Sequence, residues 1–302
     1  MNPVLARGVR RPRPDLLLGG EPLRSLRLSA AGVAALDAVL EGRPAPGVAA
    51  LTRRLLVAEM LLLPPGPPAL DELTVVVPAL SSSADVRRLL AGLPPGVAVV
   101  VVDDGSDPPL DPPAAVRHDV PRGPAAARNA GARIARTRLL AFVDVDVDLP
   151  PEGWARLTGH LAQEGVVAAA PRVVASPGRG AGAVLERDLP ALDLGSRAGW
   201  VRPATSLPYV PSAALVVDRD AFEAAGGFDE DLHLGEDVDL VWRLCALGRV
   251  RYDPDVVARH RCRRLLPALR RRFSYATSVG PLERRHPGRL THLVLGLSLI
   301  HI

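Results

Sequence analysis

The sequence predicts an α/β fold: a mixed, largely parallel sheet with helices on both faces, preceded by a small unit of its own. Three observations carry this reading. Residues 73–77, 97–102 and 138–143 are near-continuous apolar runs, as strands buried on both faces should be. Residues 84–93 and 125–137 lie between them and read as helices, so the strands run parallel through right-handed crossovers. Acidic residues follow two of the strands directly: Asp103-Asp104-Gly105-Ser106 after one, and Asp144, Asp146 and Asp148 after the other. In open sheets of this kind, ligands bind at the carboxyl ends of the strands.

Bulk composition agrees. With 302 residues, 48% of them hydrophobic, and a mean hydropathy of +0.15, the chain can bury one substantial core and leave room for a smaller second domain. The net charge of +4 and the pI near 9.8 come from arginine alone, since the chain has no lysine. So modest an excess does not require nucleic acid, and none is expected as a partner. Cys245 and Cys262 are too few and too unpatterned for a disulfide scaffold or a zinc knuckle, which favours a reducing compartment and a cytoplasmic location. The apolar stretch behind Arg7, Arg10, Arg11 and Arg13 covers only residues 16–18, too short for the core of a signal peptide. Residues 293–302 are apolar but well short of the roughly 20 that span a membrane, and their abrupt end is what a truncated chain would show.

Three parts follow in order. Residues 1–70 read as a strand over 23–28, Ser29 capping a helix over 30–40, and a second helix over 48–62 after the turn at 42–47. Strand, helix, turn and helix suggest a winged-helix-like module, with Pro64-Pro65-Gly66-Pro67-Pro68 as its linker. DNA reading by this module would rest on Arg53 and Arg54 and is the weaker alternative. Residues 71–262 hold the alternating strands and helices, and 263–302 form a basic C-terminal segment.

Chemistry concentrates in two acidic clusters. If residues 142–148 stay extended, the three aspartates share one side while Val143, Val145 and Val147 take the other. Carboxylates at the mouth of a sheet suit a hard divalent cation that carries substrate phosphates. The plain alternative is an edge strand with one wet face. A third reading, the nucleophile of an aspartyl-phosphate phosphatase, wants a basic partner that is normally the lysine this chain lacks. In the second cluster, Glu236 and Asp237 open a helix, where a carboxylate can take a proton from a reacting hydroxyl or merely favour the macrodipole. Neighbouring acids raise such a group's pKa and the helix terminus lowers it, a competition left open by the sequence. Metal site plus base suggests group transfer from a diphosphate.

Five pieces in order make this more specific: a first strand ending in Pro78, Asp103-Asp104-Gly105-Ser106, Ala127-Arg128-Asn129-Ala130-Gly131, the Asp144-x-Asp146 pair, and Gly235-Glu236-Asp237. Together, over about residues 73–260, they resemble the family 2 glycosyltransferases with the GT-A fold, a Rossmann-like mixed sheet that handles nucleotide-diphospho-sugars. Pro211-Ser212-Ala213-Ala214, Gly226-Gly227-Phe228-Asp229-Glu230 and residues 237–244 are similar to the branch of that family serving the mycofactocin pathway. In that pathway a small ribosomal peptide becomes a redox cofactor decorated with glucose.

The resemblance implies a metal-dependent, inverting transfer of a sugar, expected to be glucose, from a UDP-sugar to a peptide-derived acceptor. Pro78, Asp103, Asp104, Arg128 and Asp144 would then bind the nucleotide sugar, with Asp103 and Asp104 on uracil and ribose and Asp144 also reaching the ribose. Asp146, joined in some relatives by a histidine at the position of His260, would hold Mg²⁺ or Mn²⁺ across the two phosphates. Asp237 would be the general base, while Glu236, Trp242 and Arg243 would line the acceptor site. Trp242 reads equally as helix packing, His260 equally as a surface histidine, and Asp148 as a solvated turn residue. Where the family usually has polar or charged residues after the first strand, this chain has Ala79-Leu80-Ser81-Ser82-Ser83, which implies main-chain nucleotide contacts there.

Two alternatives stay open: a GT-A-fold protein that has lost catalysis and serves as a scaffold, and a transferase acting on a cell-envelope polysaccharide or lipid. The N-terminal module is expected to guide the peptide, its rival reading being a domain that packs on the catalytic sheet. Between residues 259 and 272, Leu265, Leu266 and Leu269 alternate with arginines, which suits peripheral attachment to the inner face of an anionic membrane or a solvated helix face; Pro267 argues against a long helix there.

Overall fold

In the computed structural model, residues 2–111 and 114–290 are described; the apolar run at 293–302 lies outside them. The N-terminal unit comprises β1 (Val4–Leu5), β2 (Arg10–Arg13), β3 (Leu16–Gly19), β4 (Arg24–Arg27), α1 (Ala30–Glu41), α2 (Val48–Val57) and β5 (Leu61–Leu62). Strands β2, β3 and β4 form an antiparallel sheet, and β1 pairs with β5. Ser29 caps α1 by accepting from Gly32 N–H at 3.2 Å, as its position predicts. Helix α2 ends five residues before the expected 62, because Met60 N–H returns to Leu55 C=O (2.8 Å) and the chain turns into β5. Leu17, Leu36, Val39, Leu55, Met60 and Leu61 give this unit its own core. Strand β2 reads Arg-Arg-Pro-Arg, with no apolar alternation, which is why periodicity missed it.

The second unit follows as β6 (Leu73–Ala79), α3 (Ser83–Ala91), β7 (Ala98–Asp103), β8 (Val116–Arg117), α4 (Pro124–Ile134), β9 (Leu139–Val143), β10 (Val147–Asp148), α5 (Pro151–His160), β11 (Val166–Ala175), α6 (Ala181–Asp188), β12 (Gly199–Val201), β13 (Ala214–Asp218), α7 (Arg219–Ala224), α8 (Glu236–Leu247), β14 (Arg249–His260), α9 (Leu265–Thr277) and α10 (Val279–Arg285). Its strands form one mixed sheet in the order β10-β14-β11-β13-β9-β6-β7-β8, with β12 paired to β14. Strands β9, β6, β7 and β8 are mutually parallel, whereas β13 runs antiparallel to both β9 and β11. One face buries Phe142, Phe222 and Phe228 with Leu240, Leu244 and Tyr252; the other buries Leu89, Trp154 and Leu157. Each such side chain contributes on the order of 1.5–3 kcal/mol by leaving water. Gly131 lets α4 lie close on the sheet, since a Cβ there would run into the Val76 side chain.

Two expectations are corrected. The aspartate run is not one extended segment: β9 stops at Val143, a turn takes Asp144 to Asp146, and Val147 then pairs with His260 of β14. Val147 N–H closes that turn on Asp144 C=O at 3.0 Å. The turn lets the chain leave its partner β13 and find a second one, so no unpaired strand is left. Pro267, expected to interrupt a helix, sits in the first turn of the 13-residue α9, where an N–H has no helical partner to lose. Among the described residues, no helix is long and apolar enough to cross a membrane.

Candidate active site

The carboxyl ends of β6, β7, β9, β11 and β14 lie along one edge of the sheet, and the acidic residues gather there. Arg128 organises them. It reaches up from the alanine-rich α4, only 3% exposed, and donates Nη2 to Asp144 Oδ1 at 2.7 Å and Nη1 to Glu236 Oε1 at 3.0 Å. Phe228 covers it, with its ring centre 5.2 Å from the guanidinium. Burial opposes the arginine's charge, and Asp144 and Glu236 overcome that and hold its pKa above the ordinary value. Arg128, expected at the nucleotide, joins the end of β9 to the start of α8.

Helix α8 begins after Gly235, whose φ of 84° and close approach to Leu282 and Ser278 suit a residue without a Cβ. Asp237 Oδ1 accepts from Val238 N–H at 2.8 Å, and Oδ2 lies 3.4 Å from Ser212 N–H in the segment entering β13. Burial pushes the Asp237 carboxyl up, with Arg128 and the two N–H groups pulling back. Burial likewise raises Glu236, helped by the Asp237 charge and opposed by Arg128, to about 6. The competition left open by the sequence therefore ends on the raised side, with burial, and not the neighbouring acids, as the first cause.

Glu236, expected to line the acceptor site, gives its Oε1 to Arg128 Nη1 at 3.0 Å. Trp242 takes the second of its two readings, and Arg243 is also bonded within the protein. Trp242 is 1% exposed and donates Nε1–H to Pro208 C=O at 2.7 Å, a packing role. Arg243 is committed to Asp239 and to the carbonyls of Ala225 and Gly227. Tyr209 and Tyr275 instead neighbour Asp237: burial raises Tyr209 to about 12, with Asp237 and Tyr275 adding to the rise. Both tyrosines escaped the sequence reading because no motif contains them.

On the nucleotide side, Asp103 and Asp104 are buried and already bonded. Asp103 accepts from Ser106 N–H (2.8 Å), Leu110 N–H (3.3 Å) and Arg117. Burial works to raise its carboxyl, but these donors outweigh it and the pKa falls. Asp104 accepts from Arg122 N–H (2.9 Å) and Gly123 N–H (2.8 Å) and pairs with His118 Nδ1 (2.6 Å), so it secures the entry to α4. Pro78 lies within β6, opposite Val102. The serine run after it builds the start of α3: Ser82 caps the helix, and the Ser81 and Ser82 hydroxyls donate to Asp85 at 3.0 and 2.8 Å.

For a metal, Asp146 and His260 are neighbours because Val147 and His260 are paired across β10 and β14. Burial and the Asp144 charge push Asp146 up, against Arg263, His260 and Arg271. Among the described residues, no group of three or more His, Cys, Asp or Glu is arranged to hold a metal. One carboxylate and one imidazole still fit Mg²⁺ or Mn²⁺ when substrate phosphates and water complete the shell, the usual habit of Mg²⁺. Asp148 lies apart, exposed and 3.6 Å from Arg88.

Residues 74–226, about half of the chain, match the model of glycosyl transferase family 2. Over 294 residues the chain is 40% identical to proteins of Mycobacterium tuberculosis, strains CDC 1551 / Oshkosh and ATCC 25618 / H37Rv, both named pre-mycofactocin glycosyltransferase. Those alignments cover 92% of this chain and 62% of the relatives, so it spans less than two thirds of their length. Among solved structures, residues 1–349 of S. aureus TarS in complex with UDP-GlcNAc share the GT-A fold, with a TM-score of 0.50, 19% identity, and coverage of 63% of this chain and 58% of that one.

Proposed function

The chain belongs to glycosyl transferase family 2, and on that footing we propose that it transfers a sugar, glucose, from a UDP-sugar to a peptide-derived acceptor in mycofactocin biosynthesis, with inversion and with a divalent cation. The observation that carries this reading is the Arg128 bridge, which brings the Asp144 turn and the Asp237-bearing helix to one place. The 40% identity to the mycobacterial proteins supports the pathway.

In this mechanism the acceptor hydroxyl oxygen attacks the anomeric carbon from the face opposite the diphosphate. A new C–O bond forms as the bond to the diphosphate breaks, and UDP leaves with the electron pair. Asp237 takes the hydroxyl proton on an oxygen that otherwise holds only a main-chain N–H. Its raised pKa, caused first by burial, makes it a better base than an ordinary aspartate. A cation held by Asp146 and His260 would supply Lewis-acid stabilisation of the leaving diphosphate. Asp144 faces the ribose, Asp103 and Asp104 shape the loop around the nucleoside, and Tyr209 and Tyr275 flank the acceptor approach.

Residues 1–70 guide the peptide in this reading, docked on the catalytic unit through the Glu59–Arg202 pair and Arg197 to Gly20 C=O at 2.7 Å. Helix α9 exposes Leu266, Leu269 and Phe273 next to arginines, which supports peripheral contact with an anionic membrane; failure to sediment with phosphatidylserine vesicles at low salt would remove that part.

The test is UDP release and acceptor mass. With UDP-glucose, a divalent cation and the precursor peptide, UDP should appear and the acceptor should gain a hexose; chelation should stop both. A folded protein that releases no UDP from any UDP-sugar tested would leave the scaffold reading in its place.

A further inference from the structure

The candidate metal ligand Asp146 is already occupied by a cation of the chain itself. Arg263 Nη2 lies 2.9 Å from Asp146 Oδ2, while its Nη1 lies 3.9 Å from Glu186 Oε1 on α6. The main chain carrying Arg263 is held from several sides. Arg261 N–H donates to Asp146 C=O at 2.9 Å, the Cys262 thiol to Ser176 C=O at 3.0 Å, and Arg263 N–H to Glu186 Oε2 at 3.1 Å. Gly182 of α6 packs so closely that a Cβ there would collide with the Arg263 carbonyl oxygen. The backbone is therefore fixed, and the guanidinium is the movable part, with two carboxylates in reach.

Charge decides when it moves. Arg271 adds a second cation beside Asp144 and Asp146, and both arginines line one small cavity with Glu186, His260 and Tyr275. A dication entering alone meets two like charges and a ligand oxygen already taken. A diphosphate changes the balance, because its oxygens offer a guanidinium charge-assisted hydrogen bonds and thereby release Asp146.

Resting on the reading of Asp146 as a metal ligand, we infer that Arg263 couples the two ligands of the donor site: it holds Asp146 until a diphosphate arrives, then turns to that diphosphate, steadied there by Glu186. Cation and diphosphate thus bind as a pair. Arg263 is a positioning residue in this scheme, acting through Asp146 and not on the sugar.

The experiment is Mn²⁺ binding to the full chain, read from the electron paramagnetic resonance signal of free Mn²⁺, with and without UDP. Arg263→Gln should bind Mn²⁺ alone more tightly, on the order of tenfold, the scale of one screened charge–charge interaction, and the tightening by UDP should shrink by the same factor. Glu186→Gln, which removes the steadying charge but keeps an acceptor for Arg263 N–H, should weaken Mn²⁺ binding in the presence of UDP severalfold. This variant carries the test if Arg263→Gln does not fold. Arg263→Gln with unchanged or weaker affinity for Mn²⁺ alone, or Glu186→Gln with wild-type affinity, would overturn the inference. Asp146→Asn separates the two levels: if it abolishes Mn²⁺ binding while Arg263→Gln changes nothing, the ligand reading stands and only the coupling falls. If Asp146→Asn binds as wild type does, the metal reading itself is lost.

Discussion

Asp144 and Glu236 are held by the same guanidinium, Arg128 Nη2 on one at 2.7 Å and Nη1 on the other at 3.0 Å. The Arg128 side chain is 4% exposed and Glu236 11%, while Asp144 keeps 24%, so the buried guanidinium depends on this bridge, which also makes the two acidic clusters face each other. Removing one partner of a buried ion pair leaves the others uncompensated. Arg128→Met should cost about 3–5 kcal/mol of stability in urea unfolding. Arg128→Lys, a point charge unable to span both carboxylates, should fall in between. A loss below about 0.5 kcal/mol for the methionine variant would contradict the bridge.

Asp237→Asn keeps the shape and the contacts to Val238 and Ser212 but cannot take a proton. UDP affinity should persist while turnover falls by a factor on the order of 10² to 10⁴. Glu236→Gln keeps an oxygen for Arg128 and should hurt less. Near-normal turnover in a folded Asp237→Asn protein would reject the mechanism.

The acid limb of the rate profile should reflect this pair. Burial raises both carboxyls, Glu236 to about 6, and they titrate together. The competent base is the ionised form, so kcat/KM should fall as pH drops through the raised apparent pKa. Glu236→Gln removes a like charge beside Asp237, and its limb should move to lower pH. A limb that stays put in that variant would separate the two groups.

Asp104 serves the fold before it serves any nucleotide. Asp104→Ala strips the acceptor from Arg122 N–H and Gly123 N–H at the entry to α4 and should cost about 1–3 kcal/mol for the donors left unpaired. Any loss of UDP affinity should therefore come with a lowered melting temperature. Weakened UDP binding at an unchanged melting temperature would instead assign Asp104 a direct contact with the nucleoside.

A buried pair far from the site sets an acid limit on stability. His160 Nε2 lies 2.6 Å from Asp253 Oδ2, and Gln163 Nε2 donates to its Nδ1 at 3.4 Å, so the neutral ring gives its proton to Asp253. Burial depresses the His160 pKa more than Asp253 raises it. As pH falls below about 6.5, the unfolded chain takes up a proton that the folded one refuses, and stability declines. Asp253 is depressed despite burial by His160 and Arg156, so its contribution is present above about 4 and is lost below that. Melting temperature between pH 7.5 and 5.5 should slope downward in the wild type and lie flatter in His160→Gln; equal slopes would remove His160 as the cause.

What the sequence determined by itself was local or ordered along the chain. Apolar runs mark β6, β7 and β9 to within a residue or two at the start of each, because a strand covered on both faces must be apolar throughout. Helices α1, α3, α4 and α8 were legible from a capping serine, first-turn acids and their place between the apolar runs, and the ordered motifs were enough to suggest the family. Strands β1, β2 and β3 were not, being short and, in β2, mostly arginine. Tertiary structure alone decided which polar groups are spent and which are free. Arg128, Trp242 and Arg243 carry residue types that suit ligand contact, yet each is committed to the protein: Arg128 to two carboxylates, Trp242 to Pro208, Arg243 to Asp239 and two carbonyls. Arg263, read only as part of a basic stretch, lands on Asp146. A polar group removed from water must find partners, and which partners it finds depends on register and packing between segments distant in the chain. Residue type is written locally; the partner is not.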